Sequence, residues 1–277
     1  MQHPEPVARR FFDLTEPIAL VNFFADEPNE AMAELGFSGY WDGYFAGRSA
    51  PLGRVPAEVV DAAFYNFGPG EAARHIPKVW GTTTPEAAHE ARQRGCVAGL
   101  VRILGELVDS PGLPRAADLL TRAAVSAPVE GRVMYAALRA LPVPDEPLAR
   151  LWHAANMLRE HRGDGHVVAL VVEQVDRTEC HVLLALDSGI HPPETFGRIH
   201  HLPKPYLASV MVRLRERGIV DGTGHFTEAG RATKDRIEAM TDALAEAPYA
   251  ALSPGELAEL TTLLEPIAAR LNEEWAQ

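Results

Sequence analysis

Within residues 151–170, LWHAANMLREHRGDGHVVAL, stand three histidines (His153, His161 and His166), two arginines (Arg159 and Arg162), Glu160 and Asp164. These side chains could do three kinds of chemistry. Imidazoles with a carboxylate can hold a metal, an imidazole oriented by a carboxylate can move a proton near neutral pH, and paired guanidinium groups can grip a carboxylate or phosphate. The surrounding pattern predicts a helix over 148–161, an abrupt turn at Gly163-Asp164-Gly165, and a second, strongly apolar helix over 165–175.

Spacing limits the metal reading. His153 and His161 are eight residues apart, about 80° around a helix and about 12 Å along it, too far to share one ion. His161 and His166 flank the expected turn and could converge with Asp164 or Glu160, but the spacing matches no zinc signature. The plainer expectation is that Asp164 caps the second helix and the histidines bond backbone or carboxylates, with no metal. For acid/base work the candidate catalytic residues are His161, His166 and Asp164, with Glu160 as another orienting group and Gly163 and Gly165 letting the backbone approach a bound molecule. An activated nucleophile is lacking, since Cys96 and Cys180 sit in no motif and no GxSxG occurs. Phosphate-binding loops and dinucleotide fingerprints are also absent, so no cofactor is expected.

A second concentration lies in residues 37–67, FSGYWDGYFAGRSAPLGRVPAEVVDAAFYNF. Tyr40, Trp41, Tyr44 and Phe45 recur at helical spacing, 50–53 breaks the helix, and Pro56 is suited to the first turn of the next, whose stripe is Val59, Val60, Ala63 and Phe64. Such aromatics form a core, or they line a pocket with Tyr40, Trp41, Tyr44, Tyr65 and Asn66. The candidate ligand-binding set adds Arg48, Trp152, His153, Arg159 and Arg162.

Positioning these residues takes a chain of 277 residues, long for one small core, which predicts two domains. The boundary is placed at LPVPDEP (141–147), where three prolines disfavour a continuing helix, giving domains 1–143 and 144–277. Helix starts are expected at Thr15-Glu16-Pro17 and at Asp26-Glu27-Pro28, with helices over 85–108, 114–125, 131–141 and 179–186, and a loop over 187–205. The net charge of −12 works against nonspecific attraction to phosphate backbones. Two cysteines make no disulfide framework, no signal peptide is evident, and no apolar run approaches a membrane span. A reducing cytoplasm is the expected location.

The clearest structural signature comes late. A helix over 206–217 carries Leu207, Val210, Met211 and Leu214 on one side, and Gly218 ends it. Ile219 and Val220 then read as a strand, 221–224 as a hairpin tip, His225 and Phe226 as the return strand, and Thr227 as the cap of a helix over 228–245. A long helix over 254–272 follows. This order is that of a winged helix-turn-helix, in which Ser209, Arg213, Arg215 and Arg217 are the candidate DNA-binding residues. Between 197 and 240 eight basic residues stand against five acidic ones, a local excess of three, yet the wing Asp221-Gly-Thr-Gly-His225 has no lysine or arginine to set against a phosphate.

An offset of 111 residues superposes Trp41 on Trp152, Arg48 on Arg159, and SAPLGRV on EHRGDGH. Such a repeat would make the chain two related domains facing each other across a pseudo-twofold axis. The phrases FSGYWDGYFAGRSAPLGRVPAEVVDAAFYNF, LWHAANMLREHRGDGHVVAL and LRERGIVDGTGHFTEAGRATKDRIEAMTD resemble those of the actinobacterial helix-turn-helix family labelled SCO6745-like, related to MarR-type regulators. The resemblance covers most of the chain and implies a winged-helix architecture without fixing an activity. It departs at Ala19, where members of that family often carry a histidine.

The expected fold is mainly α, with two winged-helix-like domains in pseudo-twofold tandem and small β-hairpin wings. The leading functional expectation is a MarR-like protein that binds a small organic ligand in the interdomain cleft and regulates transcription. The alternative is an enzyme or sequestering protein for a specialised metabolite on the same scaffold. Expected partners are a small-molecule ligand and duplex DNA, with no membrane; the chain is expected to be a monomer with pseudo-dimer symmetry or a homodimer.

Overall fold

In the computed structural model residues 6–276 are described, so the outermost ends of the two expected domains, 1–5 and 277, lie outside it. The described residues form thirteen α-helices: α1 (Val7–Phe24), α2 (Glu27–Glu34), α3 (Tyr40–Ser49), α4 (Ala57–Phe64), α5 (Glu71–His75), α6 (Pro85–Leu104), α7 (Leu113–Ser126), α8 (Val133–Arg139), α9 (Pro147–Val172), α10 (Glu179–Asp187), α11 (Lys204–Glu216), α12 (Glu228–Leu244) and α13 (Pro254–Trp275). The fold is mainly helical, as its periodicity predicts. None of these helices is long and apolar enough to cross a membrane.

Three apolar clusters hold the helices together. The largest joins Phe11 and Ile18 of α1, Leu100 of α6, Leu120 of α7, Leu151 and Trp152 of α9, and Leu264 of α13. A second, aromatic cluster packs Phe45, Phe64, Phe67 and Trp80 around α3 to α6. The third collects Leu170 of α9, Leu183 of α10, Leu214 of α11, Ile219, Val220 and Ile237 of α12. Helix α9 is the member common to the first and third. Its apolar residues at each end are buried in a different cluster, and its polar residues, 159–166, lie in the stretch between.

That stretch corrects the expected turn. Helix α9 runs unbroken through Gly163-Asp164-Gly165, so the corner thought to match SAPLGRV does not exist, although SAPLGRV itself is a break formed by a 3₁₀ turn at Ala50–Leu52 and Gly53 at φ +71°. Two glycines cost a helix about 1 kcal/mol each against alanine, which packing at both ends of α9 outweighs. Asp164, expected to cap a second helix, caps a different one. It accepts the amides of Met134 (3.4 Å) and Tyr135 (3.0 Å), two of the unpartnered N–H groups that open α8.

Other local expectations shift for similar reasons. Thr15-Glu16-Pro17 starts nothing; α1 begins at Val7 and keeps Pro17 in its interior, because its buried face packs on α9 and α13. The expected hairpin is reduced to one antiparallel bridge, Val220 with Phe226, and no longer strand occurs among the described residues. Thr227 caps α12 as expected, accepting the amide of Gly230 at 2.9 Å.

Arg132 shows why one glycine of α9 is needed. The guanidinium is almost buried and donates to the carbonyl of His161 (3.0 Å) and to that of Leu244 (2.8 Å), tying α8, α9 and α12 together. A Cβ on Gly165 would stand 2.3 Å from Arg132 Nη1 and 3.3 Å from Leu244 Cβ, whereas one on Gly163 would meet only Glu160 Oε2 at 3.9 Å. Gly165→Ala must therefore displace a buried, doubly bonded guanidinium, at a cost of about 2 kcal/mol. Gly163→Ala should instead be neutral or stabilising by up to about 1 kcal/mol through helix propensity. Urea unfolding of both variants checks this, and equal effects would contradict it.

Candidate functional site

The polar stretch of α9 forms the floor of a cavity of about 540 Å³, within the range of small-molecule sites. Helix α1 contributes Arg9, Phe12 and Glu16, α3 contributes Arg48, and the end of α4 with the residues after it contributes Ala63, Phe64, Tyr65 and Asn66. Opposite stand Cys180, His181, Leu183, Leu184 and Asp187 of α10 and Lys234, Ile237 and Glu238 of α12. The lining thus mixes charged, neutral polar and apolar side chains.

Its charges fall into two groups about two helical turns apart along α1. In the first, Glu160, only 3% exposed, meets Arg159 at 3.1 Å and Arg48 at 3.4 Å, and Arg159 also meets Glu16 at 3.2 Å. Burial alone would raise the Glu160 pKa, but Arg48, Arg159 and Arg92 together hold it below the ordinary carboxylate value. Arg48 also lies over the Phe64 ring, 4.2 Å from its centre. In the second group Arg9 and Arg162 share Glu238 and Asp242 at 2.7 to 3.3 Å, and Lys234 meets Glu238 at 2.6 Å. Burial works against the charge on Glu238, yet hydrogen bonds from Lys234 and Arg9 bring its pKa down to about 2.

Beside the second group lies His166. Its Nδ1 is 3.0 Å from Thr241 Oγ1, and that hydroxyl donates its one proton to the carbonyl of Ile237 at 2.7 Å. Nδ1 must then be the donor, which leaves Nε2 as an acceptor. Burial pushes the His166 pKa down to about 4, so the ring is neutral at pH 7 and a weak base. Tyr65 borders the same space in a strained backbone conformation, φ +57°, with its hydroxyl donating to the carbonyl of Val175 at 2.5 Å.

Of the residues singled out in the sequence, Arg48, Tyr65, Asn66, Arg159, Arg162, Asp164 and His166 line this cavity. Others do not. Trp41 and Tyr44 pack against the aromatic cluster, each facing Phe67, and the exposed Tyr40 lies against those two rings. Trp152 and His153 are buried core residues, His153 set edge-on to His89. His161 does not converge with His166, because on a continuous helix positions five apart point about 140° from one another. It is buried edge-on against Tyr135 instead, and burial followed by Arg132 lowers its pKa to about 4. The proposed acid/base trio is therefore dispersed, with Asp164 committed to α8. Arg9, Glu16, Lys234 and Glu238 carried no signal in the sequence, since each joins the site only through the packing of α1 and α12 on α9.

The candidate DNA-binding residues are placed on and just after α11. Ser209 and Arg215 are exposed, Arg215 donating to the carbonyl of Asp221 at 3.3 Å. Arg213 pairs with Asp176 at 2.6 Å, and Arg217 pairs with the buried Glu179 at 2.8 Å.

A family model described as a helix-turn-helix family matches residues 8–276, nearly the whole chain. No curated protein and no solved structure matches it.

Burial makes the structure sensitive to acid. His89, His153, His161 and His166 all have pKa values lowered to about 4 by burial, against 6.5 when exposed. The unfolded chain therefore binds protons that the folded chain refuses, and stability present above pH 6.5 is lost as pH falls toward 4. Asp164 acts oppositely, because burial raises its pKa from 3.8 to about 6. Unfolding near pH 5 should take up about three protons net, read as a fall in urea midpoint from pH 7 to 5. A flat profile would contradict the burial of these rings.

Proposed function

The chain belongs to that helix-turn-helix family, and from this premise we propose that it is a MarR-like regulator which binds a small organic molecule in the α9 cavity and answers with a change in DNA binding. In this reading residues 1–143 supply one wall of the cavity, and residues 144–277 supply its floor, its other wall and a winged helix-turn-helix. The module comprises α10, α11, the Val220–Phe226 bridge as a reduced wing, and α12. The observation that carries the proposal is that α10 and α12 are at once cavity walls and the supports of α11. Leu183 and Ile237 belong to the same apolar cluster as Leu207, Val210 and Leu214, so a molecule pressing on α10 or α12 bears on the recognition helix.

Catalysis receives less support. The neutral, weakly basic His166 is suited to accepting a hydrogen bond rather than removing a proton at pH 7. A second reading does draw on a specific observation. Arg213 and Arg217 are engaged by Asp176 and Glu179, and the turn from Asp221 to His225 offers no permanent cation, which favours a protein that sequesters its ligand without touching DNA.

Fluorescence anisotropy with a pool of randomised duplex DNA separates the two. The regulator should bind with an affinity that falls as salt rises, and Arg215→Ala should reduce the slope of log K against log salt by about 1. Absence of salt-dependent binding, with and without added 8-anilinonaphthalene-1-sulfonate as a stand-in ligand, would overturn the DNA readout and leave sequestration.

A further inference from the structure

The first charge group of the cavity is not balanced. Arg48 and Arg159 line the cavity there with Arg92 buried behind them, and the carboxylates that act on these three are Glu16 and Glu160, since Asp164, which also lies near Glu160, is bonded to the amides of Met134 and Tyr135. Glu27 of α2, which acts on the neighbouring Cys96, is held by Arg102. Arg92 is 3% exposed and makes its hydrogen bond to the neutral amide oxygen of Asn22 at 2.5 Å. Arg48 Nε is buried with no hydrogen-bond partner, in a side chain whose Nη atoms bond Tyr44 and Glu160. In the second group Arg162 Nε is bare as well, but there Arg9, Arg162 and Lys234 each pair with Glu238 or Asp242 at 2.6 to 3.3 Å, and Asp187 is shared by Lys234 and the half-exposed Arg231, so every buried cation touches a carboxylate, as Arg92 does not. A buried guanidinium in excess of its counter-charges is costly unless an anion joins it.

The rest of the cavity fits the remainder of such a molecule. Leu170, Leu183 and Ile237 give an apolar wall, and His166 Nε2 offers one acceptor, which a hydroxyl or amide of the ligand can satisfy. We propose that the ligand is an amphipathic organic monoanion, its acid group held by Arg48 and Arg159 and its apolar body laid against Leu170, Leu183 and Ile237. This rests on the ligand-binding reading above and adds the sign of the charge and the end at which it binds.

Two dyes sharing one skeleton test the proposal: 8-anilinonaphthalene-1-sulfonate, whose sulfonate stands in for the acid group, and the uncharged N-phenyl-1-naphthylamine. Fluorescence titration of the full chain should show one sulfonate dye per chain, bound about tenfold more tightly than the neutral dye, the worth of charged hydrogen bonds. Arg48→Gln and Arg159→Gln should each lower the sulfonate affinity to that of the neutral dye and leave the neutral dye unchanged. Two variants are used so that one folded protein suffices, checked by near-ultraviolet circular dichroism. Gly163→Phe, which puts a ring into the cavity from a position with room for it, should remove both dyes. Equal binding of the two dyes, or equal losses in the arginine variants, would overturn the anion assignment while leaving the cavity a ligand site. Failure of both dyes to bind the parent protein, or undiminished binding to Gly163→Phe, would overturn the ligand reading itself.

Discussion

Glu160 is the charge on which the rest of this architecture turns. A carboxylate 3% exposed in the middle of a 26-residue helix would not stay ionised by itself, and two guanidinium groups from different directions hold it so, Arg48 from α3 and Arg159 one residue away on α9. Satisfying that one buried charge recruits further ions, since Arg159 needs Glu16 of α1 as well. One turn along α9, Arg162 repeats the demand on α12 through Glu238 and Asp242. These side chains cannot collapse onto one another as leucines do, because each keeps a fixed hydrogen-bonding geometry and a volume of its own. A cavity therefore persists at this level of α9 where apolar residues would have closed one.

Buried ion pairs of this kind seldom add much stability, because desolvation offsets most of their attraction. The folding energy resides elsewhere: in the aliphatic cluster around Trp152 and Leu120, the aromatic cluster around Phe45, and the cluster that carries α11. Helix α9 joins the first of these to the third, and Arg132 fastens α8 and α12 to its middle. The charged level is thus held between two apolar cores. Rigid placement of charges before a ligand arrives is what a selective site requires.

Much of this was legible in the amino acids, and the failures have definite causes. Helical periodicity located the amphipathic helices because their apolar stripes are local. The break at SAPLGRV was legible through its proline and through Gly53, which adopts φ +71°. Gly163-Asp164-Gly165 misled because glycine and aspartate break isolated helices, and the two facts that rescue α9 are remote in sequence: Arg132 needs the space above Gly165, and the amides of Met134 and Tyr135 need Asp164. Of the polar residues that stand out over 159–166, Arg159, Arg162 and His166 border the cavity. Trp152, His153 and His161, marked with them, face the interior instead, since an unbroken helix turns successive residues by a fixed angle. Arg9, Glu16, Lys234 and Glu238 could not be read at all, for their place depends on how α1 and α12 dock. The likeness to a helix-turn-helix family rested on phrases spread over the chain, and the family match over residues 8–276 bears out that coarser part of it.

The central claim is that a molecule held at the middle of α9 acts on the helices that carry α11. Hydrogen exchange of the full chain with and without saturating 8-anilinonaphthalene-1-sulfonate tests it most directly. The account predicts added protection in the middle of α9, in α10 and in α12, accompanied by a change in α11, with α7 and α13 unaltered. Protection confined to other helices, or protection at α9 with α10, α11 and α12 unmoved, would contradict it.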